Sequence, residues 1–148
     1  MIPPQDLTQR PPRSPRVRLG GYVILARCLD KGRAVIAGSQ GEYHFACPLD
    51  QRFLQFVGVD PEGLRSQLAA GKGDQEILEW VEQTAKIKRG PWEITAWSDF
   101  QEKDGPGDIE FRNFFNQLHG AANSKREDVY SLFDLLDLDD YVSFGGKA

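Results

Sequence analysis

The stretch that decides the fold is YVILARCLDKGRAVI, residues 22–36. Its small and apolar residues recur at intervals of three and four, a spacing that places side chains on one face of an α-helix. The residues on that face are Tyr22, Leu25, Cys28, Leu29, Gly32, Val35 and Ile36. The charged residues Arg27, Asp30, Lys31 and Arg33 fall largely off it. The stretch therefore predicts an amphipathic helix whose charges lie outside its apolar face.

Start signals for further helices follow along the chain. Proline suits the first position of a helix, and aspartate or serine just before that position can cap it. The signals are Pro48, Asp60 with Pro61, Asp74, Pro91 after Gly90, and Asp108. Ser124 with Glu127 three residues later has the spacing of a capping box for the last helix. These signals predict about seven short helices in one irregular, mainly all-α bundle.

Two later segments have apolar residues at helical spacing. Ile94, Trp97 and Phe100 form one predicted inward face. The other face consists of Phe111, Phe114, Phe115 and Leu118. Glu42 to Phe45 alternate polar with aromatic residues after a glycine-containing break, which is typical of a short extended stretch. We therefore allow at most one small β-hairpin near residues 40–46.

The first 18 residues differ from the rest of the chain. They contain five of the nine prolines and carry a net charge of +3, whereas the remaining 130 residues carry −7. Proline fixes the backbone and removes an N–H donor, so residues 1–18 predict an extended arm and residues 19–148 a single helical domain. We expect the basic arm to lie against its own acidic body. An acidic body makes nucleic acid an improbable partner, because phosphate contacts need clustered Lys and Arg.

Composition bounds the class of protein. Hydrophobic residues make up 40% and aromatic residues 11% of 148, enough for one packed core. The sequence shows no secretory signal, and the longest apolar run, residues 22–26, is far shorter than a membrane helix. We expect a soluble, cytoplasmic protein with no membrane contact. Its two cysteines are too few for a disulfide framework.

The side chains that could hold a metal or act as nucleophiles form incomplete sets. Cys28, His44 and Cys47 supply three of the four ligands of a structural zinc site and only one close pair. His44 could activate Cys47, but no third group is evident to orient the histidine. We expect no metal and no cofactor, and no residue can be assigned as catalytic.

The densest acidic group lies near the C-terminus. It consists of Asp134, Asp137, Asp139 and Asp140. Four carboxylates in seven residues could bind a divalent cation, but the spacing lacks the glycine turn and twelve-residue frame of an EF-hand. The alternative is an acidic surface that pairs with the arginines of the arm.

Three blocks of the sequence resemble an uncharacterised bacterial family, domain of unknown function 5069. The blocks are PRSPRVRLGGY at residues 12–22, GEYHF with CPLD between residues 41 and 50, and FDLLDLDDY at residues 133–141. The resemblance extends from about Leu7 to Ala148 and implies no activity, substrate or cofactor. It implies only where a family site would lie. The candidate residues are Arg16, Arg18, Asp30, Lys31, Glu42, Tyr43, Asp50, Asp137 and Asp140.

Two hypotheses of function remain open. The first is a non-catalytic interaction protein in which the arm and the acidic C-terminal segment form a polar docking surface for an unknown protein. The second is a small-molecule-binding protein or enzyme, with a pocket where the end of the first long helix meets the loop around Tyr43, near Asp30 and Asp50. A concave, partly apolar pocket with converging carboxylate, lysine and tyrosine groups would favour the second.

Overall fold

The computed structural model describes residues 4–146. Within that range the chain forms seven α-helices and no named strand, which confirms the predicted all-α class. The helices are α1 Leu25–Ala37, α2 Pro48–Val57, α3 Pro61–Ala69, α4 Asp74–Thr84, α5 Pro91–Lys103, α6 Ile109–Asn123 and α7 Leu132–Ser143. The first three residues of the predicted arm and the last two of the predicted domain lie outside the described residues.

Helix α1 is the centre of the bundle. Every residue from Leu25 to Ala34 is buried, and the helix packs against α2 and α3. Gly32 allows this close packing, since a Cβ atom there would stand 2.5 Å from Leu68 Cδ1. The charged residues outside the apolar face are buried as well, each less than one tenth exposed. They are Arg27, Asp30, Lys31 and Arg33, and their side chains are neutralised by ion pairs from four distant segments.

The only β-bridge among residues 4–146 joins Leu19 to Tyr22. The two residues between them, Gly20 and Gly21, have φ values of 59° and 85°. Two consecutive residues with positive φ are what a tight type I′ turn requires, so glycine is favoured at both positions. The buried Ser98 of α5 secures the segment that follows, because its Oγ donates to Gly21 O and accepts from Val23 N.

Residues 40–46, for which the sequence permits a small β-hairpin, form turns instead. Gly41 and Ala46 both have φ in the left-handed region, at 57° and 58°, which breaks an extended strand at each end. Tyr43 N donates to Gln40 O within the first turn. The alternation of polar and aromatic residues has another cause. Tyr43 points its hydroxyl at α7, and Phe45 packs against the core beside Gly32.

Most helix starts follow the sequence signals. Asp60 caps α3 and Asp108 caps α6, as predicted, whereas Asp74, the predicted cap of α4, is its first residue and Gly73 occupies the cap position. The predicted capping box at Ser124 is wrong, because α6 runs to Asn123 and Ser124 ends it. The box that starts α7 lies seven residues later, where Ser131 Oγ accepts from Asp134 N and the Asp134 carboxylate accepts from Ser131 N.

Two predicted inward-facing aromatic residues are largely exposed. Phe100 is 60% exposed, because the buried face of α5 is formed by Ser98 and Gln101. Phe114 is 52% exposed, whereas its neighbour Phe115 is 2% exposed and enters the core. Helical spacing was right for the other predicted inward residues, since Ile94, Trp97, Phe111 and Leu118 pack against the core and Phe115 belongs to it. It placed one further residue of each helix on the wrong side.

The basic arm lies on the acidic body, as expected. Arg13 binds Asp30 of α1 and Asp74 of α4, at 3.0 and 2.8 Å. Two further arginines of the arm reach other helices: Arg16 binds Asp134 and Asp137 of α7, and Arg18 binds Asp99 and Glu102 of α5. No helix among the described residues is long and apolar enough to span a membrane.

Candidate functional site

A pocket of about 980 Å³ lies where α1, α2, α6 and α7 meet the loop of residues 38–47. We call it the α1–α7 pocket. The apolar part of its lining, which we call the apolar wall, comes from the arm, three helices and the C-terminal segment: Leu7, Leu49, Phe111, Phe114, Leu132, Leu136 and Phe144. A volume of this size is within the range of small-molecule sites, which are typically lined by apolar groups with a few polar ones.

The floor of the pocket is cationic. Arg27 and Lys31 line it from α1, and their positions four residues apart place them on the same face of the helix. They are 4% and 3% exposed. Arg27 Nη1 and Nη2 donate to the two carboxylate oxygens of Asp140 at 2.7 and 3.3 Å. Burial opposes the charge of Arg27, but the Asp140 contact outweighs it and raises the pKa of the guanidinium.

Tyr43 joins the loop to this floor. Its hydroxyl donates to Asp140 Oδ1 across 2.7 Å, and the Arg27 guanidinium lies 5.4 Å from the centre of its ring. Burial, followed by the hydrogen bond to the Asp140 carboxylate, raises the pKa of Tyr43 well above its ordinary value. The hydroxyl therefore stays protonated at neutral pH, and its one proton is used in the bond to Asp140.

A second buried cluster begins at Lys31. Its Nζ lies 3.0 Å from Asp50 Oδ1 and donates to Cys47 Sγ at 3.2 Å. Asp50 is fully buried, and within residues 4–146 neither of its oxygens accepts a hydrogen bond of regular geometry. Cys28 is fully buried too, and burial together with the nearby Asp50 carboxylate raises its pKa well above the usual range. Of the two cysteines, only Cys47 lines the pocket.

The backbone next to Cys47 is strained. Ala46 has φ 58°, a left-handed conformation that costs a residue with a Cβ about 1–2 kcal/mol. Cys47 itself occupies the N-cap position of α2 but makes no capping bond with its side chain. Its thiol is therefore directed by the fold to Lys31 rather than to the helix that it precedes.

The rim of the pocket is acidic. Glu42, Asp108 and Glu110 line it and are exposed, as is His44. Asp139 lies deeper, and burial, followed by the charge of Asp140, raises its pKa above the usual carboxyl value. The pocket thus places two cations and the Tyr43 side chain at its floor and carboxylates around its opening.

A family model described as a domain of unknown function, DUF5069, matches residues 9–142. The chain belongs to this family. The match includes the whole floor of the α1–α7 pocket and most of its apolar wall. A comparison with curated proteins gave no match.

The structure brings together five of the nine residues that the sequence suggested for a DUF5069 site. Lys31, Glu42 and Tyr43 line the pocket, whereas Asp50 and Asp140 lie behind it and hold Lys31, Tyr43 and Arg27. The other four residues lie elsewhere. Arg16 and Asp137 bind each other. Arg18 binds Asp99 of α5, and Asp30 binds Arg13.

Several pocket residues of the DUF5069 domain were missed. Arg27 had a detectable signal, since it precedes Lys31 by four residues and marks a second charge on the same face. Arg52 and Asp139 also line the pocket, although the sequence offered no signal for Arg52 and indicated Asp139 only as part of the acidic group near the C-terminus. Phe114 belongs to the apolar wall and not to the core, which explains why its exposure was mispredicted.

The other constellations considered from the sequence have different partners in the DUF5069 structure. Cys47 contacts Lys31, and His44 is an exposed residue of the rim. No group of three metal-ligating side chains forms among residues 4–146. The acidic group of α7 is divided: Asp134 and Asp137 bind Arg16, Asp140 binds Arg27 and Tyr43, and Asp139 lines the pocket.

Proposed function

We propose that the chain binds a small organic molecule with an apolar body and an acyl or carboxyl head group in the α1–α7 pocket. The observation that carries this proposal is the convergence of Arg27, Lys31 and Tyr43 at the floor of a pocket with an apolar wall. Buried polar groups at the base of an apolar cleft select the part of a ligand that can bond to them.

Arg27 and Lys31 at the floor of the pocket have N–H groups available to a ligand. An ammonium has three N–H donors and a guanidinium has five. Within residues 4–146, Lys31 uses its ammonium for Asp50 and Cys47, and Arg27 uses two of its nitrogens for Asp140 and Arg13 O. The remaining N–H groups favour an oxygen-bearing acceptor. The exposed carboxylates of the rim would repel an anionic head group, so the bound head group should lie at the floor and not at the opening.

The docking-surface hypothesis stays a prediction. It relies on Arg16, Arg18 and the acidic residues of α7, and these side chains are bonded to each other or to α5 in the described part of the chain. A partner would have to replace those bonds. The pocket needs no such exchange and is the better supported site. Because Cys28 and Cys47 are unpaired thiols, we also propose a reducing, cytoplasmic setting.

A thermal-shift series tests the binding proposal. Straight-chain carboxylates of increasing length are compared with alcohols of the same length. A ligand at 100 times its Kd stabilises the folded state by about 2.7 kcal/mol, roughly 5–10 °C for a domain of this size. We expect a saturable rise that grows with chain length and is larger for the carboxylate than for the alcohol.

Two matched phenylalanines provide the control. Phe114 lines the pocket and Phe100 does not, yet both are more than half exposed. Phe114→Ser should weaken the saturable shift, and Phe100→Ser should leave it unchanged. Equal shifts in both variants, or no saturable shift with any carboxylate, would contradict the proposal.

A further inference from the structure

The two cysteines of the chain differ in the way that distinguishes a reactive thiol from a structural one. Cys28 is fully buried in the core, whereas Cys47 is half-buried and lines the α1–α7 pocket. Reactive cysteines are partly accessible and lie beside a cationic group or a helix N-terminus. Cys47 has both neighbours, because it contacts Lys31 and precedes the first residue of α2.

Cys47, Lys31 and Asp50 form a chain of contacts in the order nucleophile, proton carrier and orienting group. Lys31 Nζ lies 3.2 Å from Cys47 Sγ and 3.0 Å from Asp50 Oδ1. A nucleophile within reach of a base that a third group orients is the arrangement used in covalent catalysis. From the sequence, His44 was the candidate partner of Cys47 and no orienting group was found. The structure supplies both roles from other residues.

Lys31 and Asp50 are held too firmly to be solvated surface charges. Lys31 is 3% exposed and Asp50 is fully buried. Burying an ion pair costs desolvation energy that a pair of this geometry only partly recovers, so burial of the pair contributes little to stability. Its consequence is positional: Asp50 fixes the ammonium where it can contact Cys47 and the pocket at once.

The first turn of α2 adds donors beside the thiol. Pro48 has no N–H, and the N–H groups of Leu49 and Asp50 make no hydrogen bond within the described residues. Pro48 and Leu49 line the pocket. Unpaired N–H groups at a helix N-terminus stabilise negative oxygen, which develops on a carbonyl under attack.

We propose that Cys47 is a catalytic nucleophile that accepts the acyl group of an ester or thioester bound in the α1–α7 pocket. This inference rests on the proposed function, since it assigns the acyl head to the floor and the apolar chain to the wall formed by Phe111, Phe114 and Leu136. It makes the protein an acyl-transfer enzyme or hydrolase.

Acyl transfer to Cys47 needs only the substrate, water and the side chains of Cys47 and Lys31. The Cys47 thiolate attacks the carbonyl carbon, a C–S bond forms, and the bond from that carbon to the leaving oxygen or sulfur breaks. The leaving group takes a proton from the Lys31 ammonium and departs as an alcohol or thiol. Water then attacks the thioester and gives its proton to the Lys31 amine, the C–S bond breaks, and the carboxylic acid and the thiolate are released.

The test uses p-nitrophenyl butyrate as an ester probe and S-phenyl thiobutyrate as a thioester probe on the full chain. Acid quenching followed by mass spectrometry and peptide mapping locates the butyryl group. We expect one butyryl group on Cys47 with at least one of the probes, and the more reactive probe identifies the class of leaving group. Cys47→Ser should lose the label, and Cys28→Ser, which removes the buried thiol, should retain it.

The role of Lys31 as the proton carrier is tested by the rate at which Cys47 is acylated. Lys31→Met should slow acylation of Cys47 by roughly ten-fold or more, because general acid–base groups contribute effects of this size or larger. Since Lys31→Met leaves a buried carboxylate without its partner, the double variant K31M/D50N removes both charges and is measured beside it, with circular dichroism confirming the fold. An unchanged acylation rate in a folded variant would overturn the assignment of Lys31.

Failure of the nucleophile can be told apart from failure of the pocket. Carboxylate binding by Cys47→Ser, measured by thermal shift, should persist because the variant retains the wall and the floor cations. If wild-type protein binds carboxylates but is labelled on surface lysines, on Cys28 or not at all, the nucleophile is wrong and the binding proposal stands. If carboxylates do not bind and Cys47 is not labelled, both are wrong.

Discussion

The Tyr43 hydroxyl donates to Asp140 Oδ1 across 2.7 Å and thereby ties the loop of residues 38–47 to α7, 97 residues further along the chain. The same carboxylate accepts two bonds from Arg27 of α1. One buried aspartate therefore holds three parts of the pocket in register. Because the group that accepts is charged, each bond to it is worth more than a bond between neutral groups.

Tyr43→Phe should lower the free energy of unfolding by about 1–2 kcal/mol, since it removes one bond to a charged acceptor that keeps its Arg27 partner. Denaturant unfolding measures the change. Tyr130→Phe is the control, because Tyr130 is 75% exposed and its hydroxyl makes no bond within residues 4–146. Equal stabilities of the Tyr43→Phe variant and the wild type would show that the contact does not hold the loop.

Arg13→Gln and Arg18→Gln should differ in stability although both arginine side chains are 31% exposed. Arg13 binds Asp30, which is 6% exposed, whereas the Asp99 partner of Arg18 is 54% exposed. Removing Arg13 leaves a buried carboxylate without its close partner, which we expect to cost about 2–3 kcal/mol. Removing Arg18 should cost less than about 1 kcal/mol. Thermal melts of the two variants in the same buffer provide the comparison.

Phe53→Ala and Phe115→Ala should each cost about 3–5 kcal/mol, because both rings are almost fully buried and their removal leaves cavities. Phe100→Ala is the matched control at a 60% exposed site and should change stability by no more than about 0.5 kcal/mol. Urea unfolding of the three variants measures these changes in the free energy of unfolding. A similar loss in all three would mean that burial in the folded state does not set the cost.

Local signals account for the parts of the fold that the sequence predicts. The start of α3 depends on Asp60 and Pro61 alone, because a cap and a first-turn proline act within four residues. The side of a helix that faces solvent depends on neighbours instead. Spacing placed Phe100 and Phe114 with the core, but no other helix packs on those sides.

The site was harder to predict than the fold because its contacts are long-range. Arg27 meets Asp140 across 113 residues, and Arg33 meets Asp74 across 41. Charges on α1 have the pattern of a solvated face until these partners are known. Lys31 and Tyr43 could be singled out because both lie near the junction of α1 and the following loop, where polar groups concentrate. The sequence suggested Cys47 as a nucleophile but with His44 as its partner, and the contact of Cys47 with Lys31 required the structure.

Asp139→Asn should stabilise the protein at neutral pH. Burial and the Asp140 charge raise the pKa of Asp139 in the folded state, so the folded protein binds its proton more tightly than the unfolded chain does. The charged carboxylate therefore destabilises the fold above the folded-state pKa, and the variant removes that cost. As pH falls below about 4, Asp139 is protonated in both states and the gain should vanish.

Glu127→Gln, at an exposed carboxylate with no ion pair among the described residues, controls for the change in net charge. Unfolding free energies measured from pH 3 to 8 would contradict this account if the advantage of Asp139→Asn over Glu127→Gln persisted in acid.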